Sequence, residues 1–241
     1  MPVKRPILAN NEIYHVVCRG VDGRDIFNGD PDYYRAIHDL FEFNDTKPVG
    51  WEYRSSHLEI RSRGLHEIGY REIKNERMPR DLVVDILAFC LMPNHIHLLL
   101  RQVKDGGISF FMRKFGIGYA GYFNRKHERS GYLFQGRFRA THIKTDGQLK
   151  TVFVYIHTNP AALVTENWKE GGIQNLEEAI KFIENYKWSS YPDYLGQQNF
   201  PSVTQRDLFN SIMPKEEWQK YVNEWVEYKR MSGWDESAEL E

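Results

Sequence analysis

The chain has 241 residues, of which 41% are hydrophobic and 14% aromatic, enough for one ample domain with a real core; this excludes global disorder. Its two cysteines, Cys18 and Cys90, lie far apart in no metal-binding or redox spacing, which excludes a disulfide framework and fits a reducing cytosol. The net charge of −1 does not by itself mark a nucleic-acid binder, so any such surface has to come from uneven distribution.

The N-terminal "MPVKRPILANNEIYHVV" lacks the apolar core of a secretory signal, and Asp85 interrupts the most apolar run before it could span a bilayer. A soluble, cytoplasmic protein is expected. Residues 12–19, "EIYHVVCR", read as a strand, followed by a turn at "GVDGRD". Asp30-Pro31 opens a helix with Tyr34, Ile37, Leu40 and Phe41 as its apolar stripe. The segment 44–80 is charged, mixed in sign and weakly periodic, and reads as an insertion. Residues 82–91 and 95–101 form two strands joined by a tight turn at Met92-Pro93-Asn94.

A helix from about Ile108 to Lys126 carries Ile108, Phe111, Phe115, Tyr119 and Tyr122 at helical spacing. A glycine-punctuated loop and a strand follow in "RSGYLFQGRFRATHIKT". Asp146 is the expected cap of the next helix, "GQLKTVFVYIHTNP", which Pro160 must end or kink. Residues 197–241 read as a helical extension to a domain spanning 1–196, with Trp218, Tyr221, Val222 and Trp225 on one amphipathic helix. This order predicts an α+β fold, a ferredoxin-like antiparallel sheet with flanking helices.

Two sets of residues carry chemistry. In "CLMPNHIHLLL", strand alternation puts His95 and His97 on one face and Ile96, Leu98 and Leu100 on the other. The imidazoles then stand about 7 Å apart along the strand, a spacing suited to two ligands of one ion. Two structural histidines hydrogen-bonded within the fold are the plainer alternative. In "LKTVFVYIHTNP", Leu149, Val152, Phe153 and Ile156 form the buried stripe, and Tyr155 and Asn159 flank it about 40° apart. An amide oxygen from Asn159 would make a third ligand, with the Tyr155 hydroxyl beside the ion. Tyr119, Tyr122 and Tyr132 remain rivals for that place. Arg113, Lys114, Arg125, Lys126, Arg137 and Arg139 belong to a basic stretch whose only acid is Glu128, a place for a phosphate backbone to dock. Tyr122, Phe123 and Phe134 are candidates for stacking on bases.

These motifs together resemble a known family. "LMPNHIHLLL" is similar to the HUH motif, His-hydrophobe-His, of single-tyrosine transposases. "RPILANNEIYHVVCRGVDGRDIF", "YFNRKHERSGYLFQGRFRA", "VYIHTNPAALV" and "KWSSYPDYLG" resemble, in order and spacing, the blocks of the REP-associated tyrosine transposase branch. The resemblance covers residues 6–43 and 82–196. It implies metal ligation by His95, His97 and Asn159 with Mg²⁺ or Mn²⁺ as cofactor, and Tyr155 as nucleophile. It also implies single-stranded or hairpin DNA (REP-like palindromes) as substrate, cut through a 5′-phosphotyrosine intermediate. After Asn159-Pro160 the chain reads "AALV", where relatives often carry a basic residue and a glycine. Two rivals stand beside this expectation: a domesticated DNA-hairpin binder that no longer cleaves, and a metal-dependent phosphodiesterase using water. Sequence leaves monomer and homodimer both open.

Overall fold

The computed structural model describes residues 6–47, 80–164, 175–212 and 215–232. The expected insertion falls mainly on 48–79, outside the described residues. Four strands, β1 (Ile13–Arg19), β2 (Val84–Met92), β3 (His95–Gln102) and β4 (Arg139–Ile143), form one antiparallel sheet in the order β2-β3-β1-β4. Helix α1 (Asp30–Glu42) links β1 to β2, and α2 (Gly107–Lys126) links β3 to β4. That chain order and strand order are the ferredoxin-like arrangement that the sequence predicts.

The register sorts the sheet into two faces. Tyr14, Val16 and Cys18 align with Leu100, Leu98 and Ile96 on one face, which α1 and α2 cover. His15, Val17 and Arg19 align with Leu99, His97 and His95 on the other. This second face receives α3 (Asp146–Thr158), which packs on β2 and β3. Asp32, fully buried in α1, ties the first layer together by accepting from Lys126, His127 and Tyr122 of α2 or its end. Burial pushes its carboxyl up, but those bonds and the Asn28 N–H hold it below the usual carboxylate range.

Helix α3 starts at Thr145, whose hydroxyl accepts from the Gln148 N–H at 3.2 Å; Asp146 sits in the first turn instead of capping. The helix ends at Thr158, and Asn159–Leu163 tightens into a 3₁₀ turn where Pro160 withholds its N–H. The sequence suggests one buried stripe, yet every residue from Val152 to Ala161 is buried. The reason lies outside the sheet. Helix α4 (Leu176–Glu184), the short α5 (Tyr191–Tyr194), α6 (Asp207–Ile212) and α7 (Lys215–Ser232) follow, and α5 to α7 supply an aromatic cover for the outer side of α3. Phe153 meets Trp218, Phe209 and Tyr194 at ring-centroid distances of 4.3, 4.5 and 4.8 Å. A helix covered on both sides must be apolar all round.

The outer edge of β2 is closed rather than exposed. Its backbone groups pair with Trp188, Ser190 and Gln205, and the hydroxyls of Tyr186 and Tyr194 donate to the Leu91 and Leu87 carbonyls. Trp188 stacks on Tyr33 at 4.6 Å as a packing residue. No helix among the described residues is long and apolar enough to cross a membrane.

Candidate active site

The turn Pro93-Asn94 that opens β3 is anchored by backbone hydrogen bonds to the segment after β1. The Asn94 carbonyl accepts from Gly20 N–H at 2.8 Å, and the Pro93 carbonyl accepts from Ile26 and Phe27. A Cβ at position 20 would lie 2.2 Å from the Arg24 carbonyl oxygen, so this close approach requires glycine. The first residue after the turn is therefore fixed in place, and it is His95.

His95 and His97 share the face predicted for them, with ring centroids 4.7 Å apart and planes at 80°. His95 Nδ1 lies 2.6 Å from Asn94 Oδ1, while the Asn94 amide nitrogen donates to the Gly23 carbonyl. An amide oxygen only accepts, so the proton sits on His95 Nδ1 and the lone pair on Nε2. His97 is 1% exposed, and its Nε2 has no hydrogen-bond partner among the described residues. Its Nδ1 lies 2.9 Å from Nε2 of His15 on the adjacent strand. The two rings stack with centroids 5.1 Å apart and planes 11° off parallel.

Tyr155 comes down onto this pair from α3. Its ring meets His97 at 5.4 Å and 86° and His15 at 5.8 Å and 80°, edge against face. Trp225 of α7 lies behind it at 6.5 Å, and Tyr155 is 2% exposed. Asn159, one turn on, is buried, and its amide nitrogen donates to the Tyr155 carbonyl at 2.7 Å. The Asn159 amide oxygen is left as the end that could face a ligand. The rival tyrosines are elsewhere. Tyr119 is buried and donates to the Ile26 carbonyl, Tyr122 is bound to Asp32, and Tyr132 is exposed in the loop before β4.

Burial dominates the electrostatics of the imidazoles. It lowers the pKa of His15 to about 3, with the charge of His95 adding to the effect. His97 is held well below its ordinary value by burial, then by His95, His15 and Arg19. On the far side of α3, His157 is lowered to about 3 by burial, opposed by a bond with the Phe153 backbone; its Nε2 pairs with Ser190 Oγ at 2.7 Å. Neutral rings are the form that binds metal. They also set an acid limit. An unfolded histidine takes a proton near pH 6.5, and these folded ones refuse it until about pH 3, so stability is full above about 6.5 and falls as pH drops through that window. At pH 5 the loss is up to about 2 kcal/mol for each of His15 and His157. Urea midpoints in chelator at pH 7.5 and pH 5 should differ accordingly; equal midpoints would mean the rings are charged in the fold.

The residues fit a divalent ion. His97 Nε2 is a buried nitrogen in need of a partner, and the tautomer of His95 aims a second lone pair from beside it. Among the described residues no three His, Cys, Asp or Glu side chains are arranged to share one ion. Two imidazoles with an amide oxygen, water or phosphate completing the shell is the donor set available, intermediate in hardness and compatible with Mn²⁺ or Mg²⁺.

The basic residues divide between two places. Arg113, Lys114, Arg125 and Lys126 ride on α2, behind the sheet from the histidines. Lys114 donates to the carbonyls of Asp45 and Lys47, and partial burial lowers its pKa; Lys126 is paired with Asp32 at 2.5 Å. Arg113 and Arg125 are exposed. Arg137 is exposed in the loop before β4, and Arg139, exposed on β4, aligns with Val17 and so shares the histidine face. Phe123 is buried in the core and is closed to bases, and Phe134 is half-buried against Phe115 and Tyr119.

Three residues escaped the sequence reading. His15 has a signal there, an imidazole on the same strand face as Ile13 and Val17, but only the pairing of β1 with β3 shows its partner. Asn94 precedes His95 and looks like plain turn chemistry. Arg19 ends β1 directly opposite His95, exposed and on the same face.

The family model described as "Transposase IS200 like" matches residues 9–159. The chain belongs to this family. The match takes in the whole sheet and stops at Asn159, so every residue of the histidine–tyrosine cluster in this IS200-like transposase lies inside it. No curated protein sequence matches the chain. Among solved structures it is similar to a REP-associated tyrosine transposase bound to a REP hairpin, at 12% identity over 86% of this chain and 93% of that one, with a TM-score of 0.44.

Proposed function

We propose that this transposase cleaves and transfers single strands of hairpin-bearing DNA through a covalent bond to Tyr155. The observation that carries the reading is the contact of one tyrosine ring with His97 and His15, on the face where His95 and His97 turn their rings together. His95 and His97 through Nε2, and Asn159 through its amide oxygen, would hold Mg²⁺ or Mn²⁺. When bound, that ion supplies Lewis-acid stabilisation of charge on a non-bridging phosphate oxygen.

The chain's own groups do the rest. The Tyr155 phenolic oxygen attacks phosphorus in line and its proton leaves to solvent. The bond from phosphorus to the 3′ oxygen breaks, and that oxygen departs with the electron pair and takes up a proton. The products are a 5′-phosphotyrosine and a 3′-hydroxyl, and the reverse attack by a 3′-hydroxyl of another strand completes transfer with no external energy source. Arg19 and Arg139, on the histidine face, would hold the phosphates that flank the scissile one. Arg113, Lys114, Arg125, Lys126 and Arg137 would serve a longer duplex or loop passing around the sheet. Residues 1–196 would form the transposase unit, with 197–241 as an extension that covers α3.

The test is incubation with hairpin-bearing single-stranded DNA and Mn²⁺, followed by a denaturing gel. A protein–DNA adduct that survives denaturation is expected; none under any divalent ion would sink the reading. One observation favours a second reading. With Tyr155 2% exposed, attack requires the seam between α3 and α7 to open, and a protein that binds hairpins with this seam shut would not cleave. Tight hairpin binding without adduct is its signature. For the DNA contacts, Arg19→Ala and Arg139→Ala should each lower the slope of log affinity against log salt by about one, across unrelated sequences. An unchanged slope in both would remove these arginines from the interface.

A further inference from the structure

The two histidines of the HUH segment are held in unlike ways. His95 has its Nδ1 proton fixed by the Asn94 amide oxygen at 2.6 Å. His97 has no such amide; its Nδ1 faces Nε2 of His15 at 2.9 Å, and the two rings stack almost parallel. His15 is 1% exposed on the central strand β1, one pleat from the Val17 that pairs with His97. It stands at His97 Nδ1 where Asn94 stands at His95 Nδ1, but as an imidazole it can accept or donate.

We propose that His15 is a positioning residue for the divalent-ion site, accepting the His97 Nδ1 proton so that His97 presents its Nε2 lone pair beside that of His95. The proposal rests on the metal site read above. Its content is a choice between two proton arrangements. Two neutral imidazoles can share the bond with His97 Nδ1 donating to His15 Nε2, or with His15 Nε2 donating to His97 Nδ1. In the first, the second proton of the pair sits on His15 Nδ1 and His97 Nε2 is open to an ion. In the second, the proton on His97 Nε2 blocks it.

Neither His15 Nδ1 nor His97 Nε2 has a hydrogen-bond partner among the described residues, so no protein group there selects between the two. The ion selects. Moving from the second arrangement to the first passes one proton along the bond from His15 to His97, releases one from His97 Nε2 and takes one up at His15 Nδ1. The exchange is neutral overall. Groups that hydrogen-bond the far nitrogen of a metal-binding histidine typically change metal affinity by about 10- to 100-fold when removed.

The experiment measures Mn²⁺ affinity of the full chain without DNA, in wild type, His15→Leu, His15→Gln and His97→Ala. His15→Leu should bind about 10- to 100-fold more weakly, and His15→Gln, which keeps an acceptor at the place of Nε2, should stay within about threefold of wild type. A merely structural role would make the two variants alike. In parallel, ¹⁵N-histidine spectra of wild type with Cd²⁺ as a diamagnetic stand-in should place the His97 proton on Nδ1, with the His97 signals assigned by their loss in His97→Ala. Equal affinity in wild type and His15→Leu, equal loss in Leu and Gln, or a loaded His97 protonated on Nε2 would each overturn the proposal. Should His15→Leu fail to fold, the wild-type spectrum decides alone. If His97→Ala binds Mn²⁺ as well as wild type does, the metal reading falls and this inference with it. If His97→Ala abolishes binding while His15→Leu does not weaken it, the inference alone falls.

Discussion

Tyr155→Phe should abolish the covalent DNA adduct and slow strand cleavage by roughly 10⁴-fold or more, the scale on which losing a nucleophile is felt. The substitution removes one oxygen and leaves the ring that packs on His15, His97 and Trp225. Unfolding free energy should therefore move by no more than about 1 kcal/mol, and hairpin affinity should hold. That combination separates chemistry from collapse. The measurement is adduct yield on a denaturing gel beside a urea titration. An equal yield from the variant would put the nucleophile elsewhere, with Tyr132, exposed in the loop before β4, as the next residue to substitute.

The second large effect belongs to His97. His97→Ala should weaken Mn²⁺ binding past detection at millimolar metal and cut adduct formation by about 10²- to 10³-fold, the usual worth of a preorganised electrostatic group at a transferring phosphoryl centre. It should also cost stability, because His15 Nε2 loses its buried partner at 2.9 Å; about 1–3 kcal/mol is expected. His95→Ala should share the first effect and show less of the second, since His95 is only partly buried and its ring is tied to a neighbouring side chain. Titration of Mn²⁺ against each variant, followed by magnetic resonance of the free ion, reads the binding directly. Undiminished affinity in both variants would remove the two histidines from the metal site.

The parts of this fold that sequence discloses are those set by local rules. Alternation puts His95 and His97 on one face before any register is known, and the run of strand and helix signals leads to the ferredoxin-like order. What local rules leave dark is pairing between distant segments. The role of His15 depends on β1 lying beside β3, a fact carried by hydrogen bonds over eighty residues of chain. The burial of α3 on its outer side depends on Trp218 and Phe209 arriving from the far end of the sequence. Charge pairing is hidden in a similar way: Lys126 stands in "YFNRKHERSGYLF", and its partner Asp32 lies ninety-four positions earlier.

The phenol and its two imidazole neighbours come from residues 15, 97 and 155, and no two of these lie on one contiguous element. A polypeptide emerging from the ribosome shows the first imidazole early, the pair midway, and the phenol only once α3 has been made. Until then, on the proposed reading, it carries two of the ion's ligands, His95 and His97, and lacks both Asn159 and the nucleophile. If Tyr155 is the nucleophile, a nascent fragment of this chain would have no means to nick a chromosome until α3 had been made.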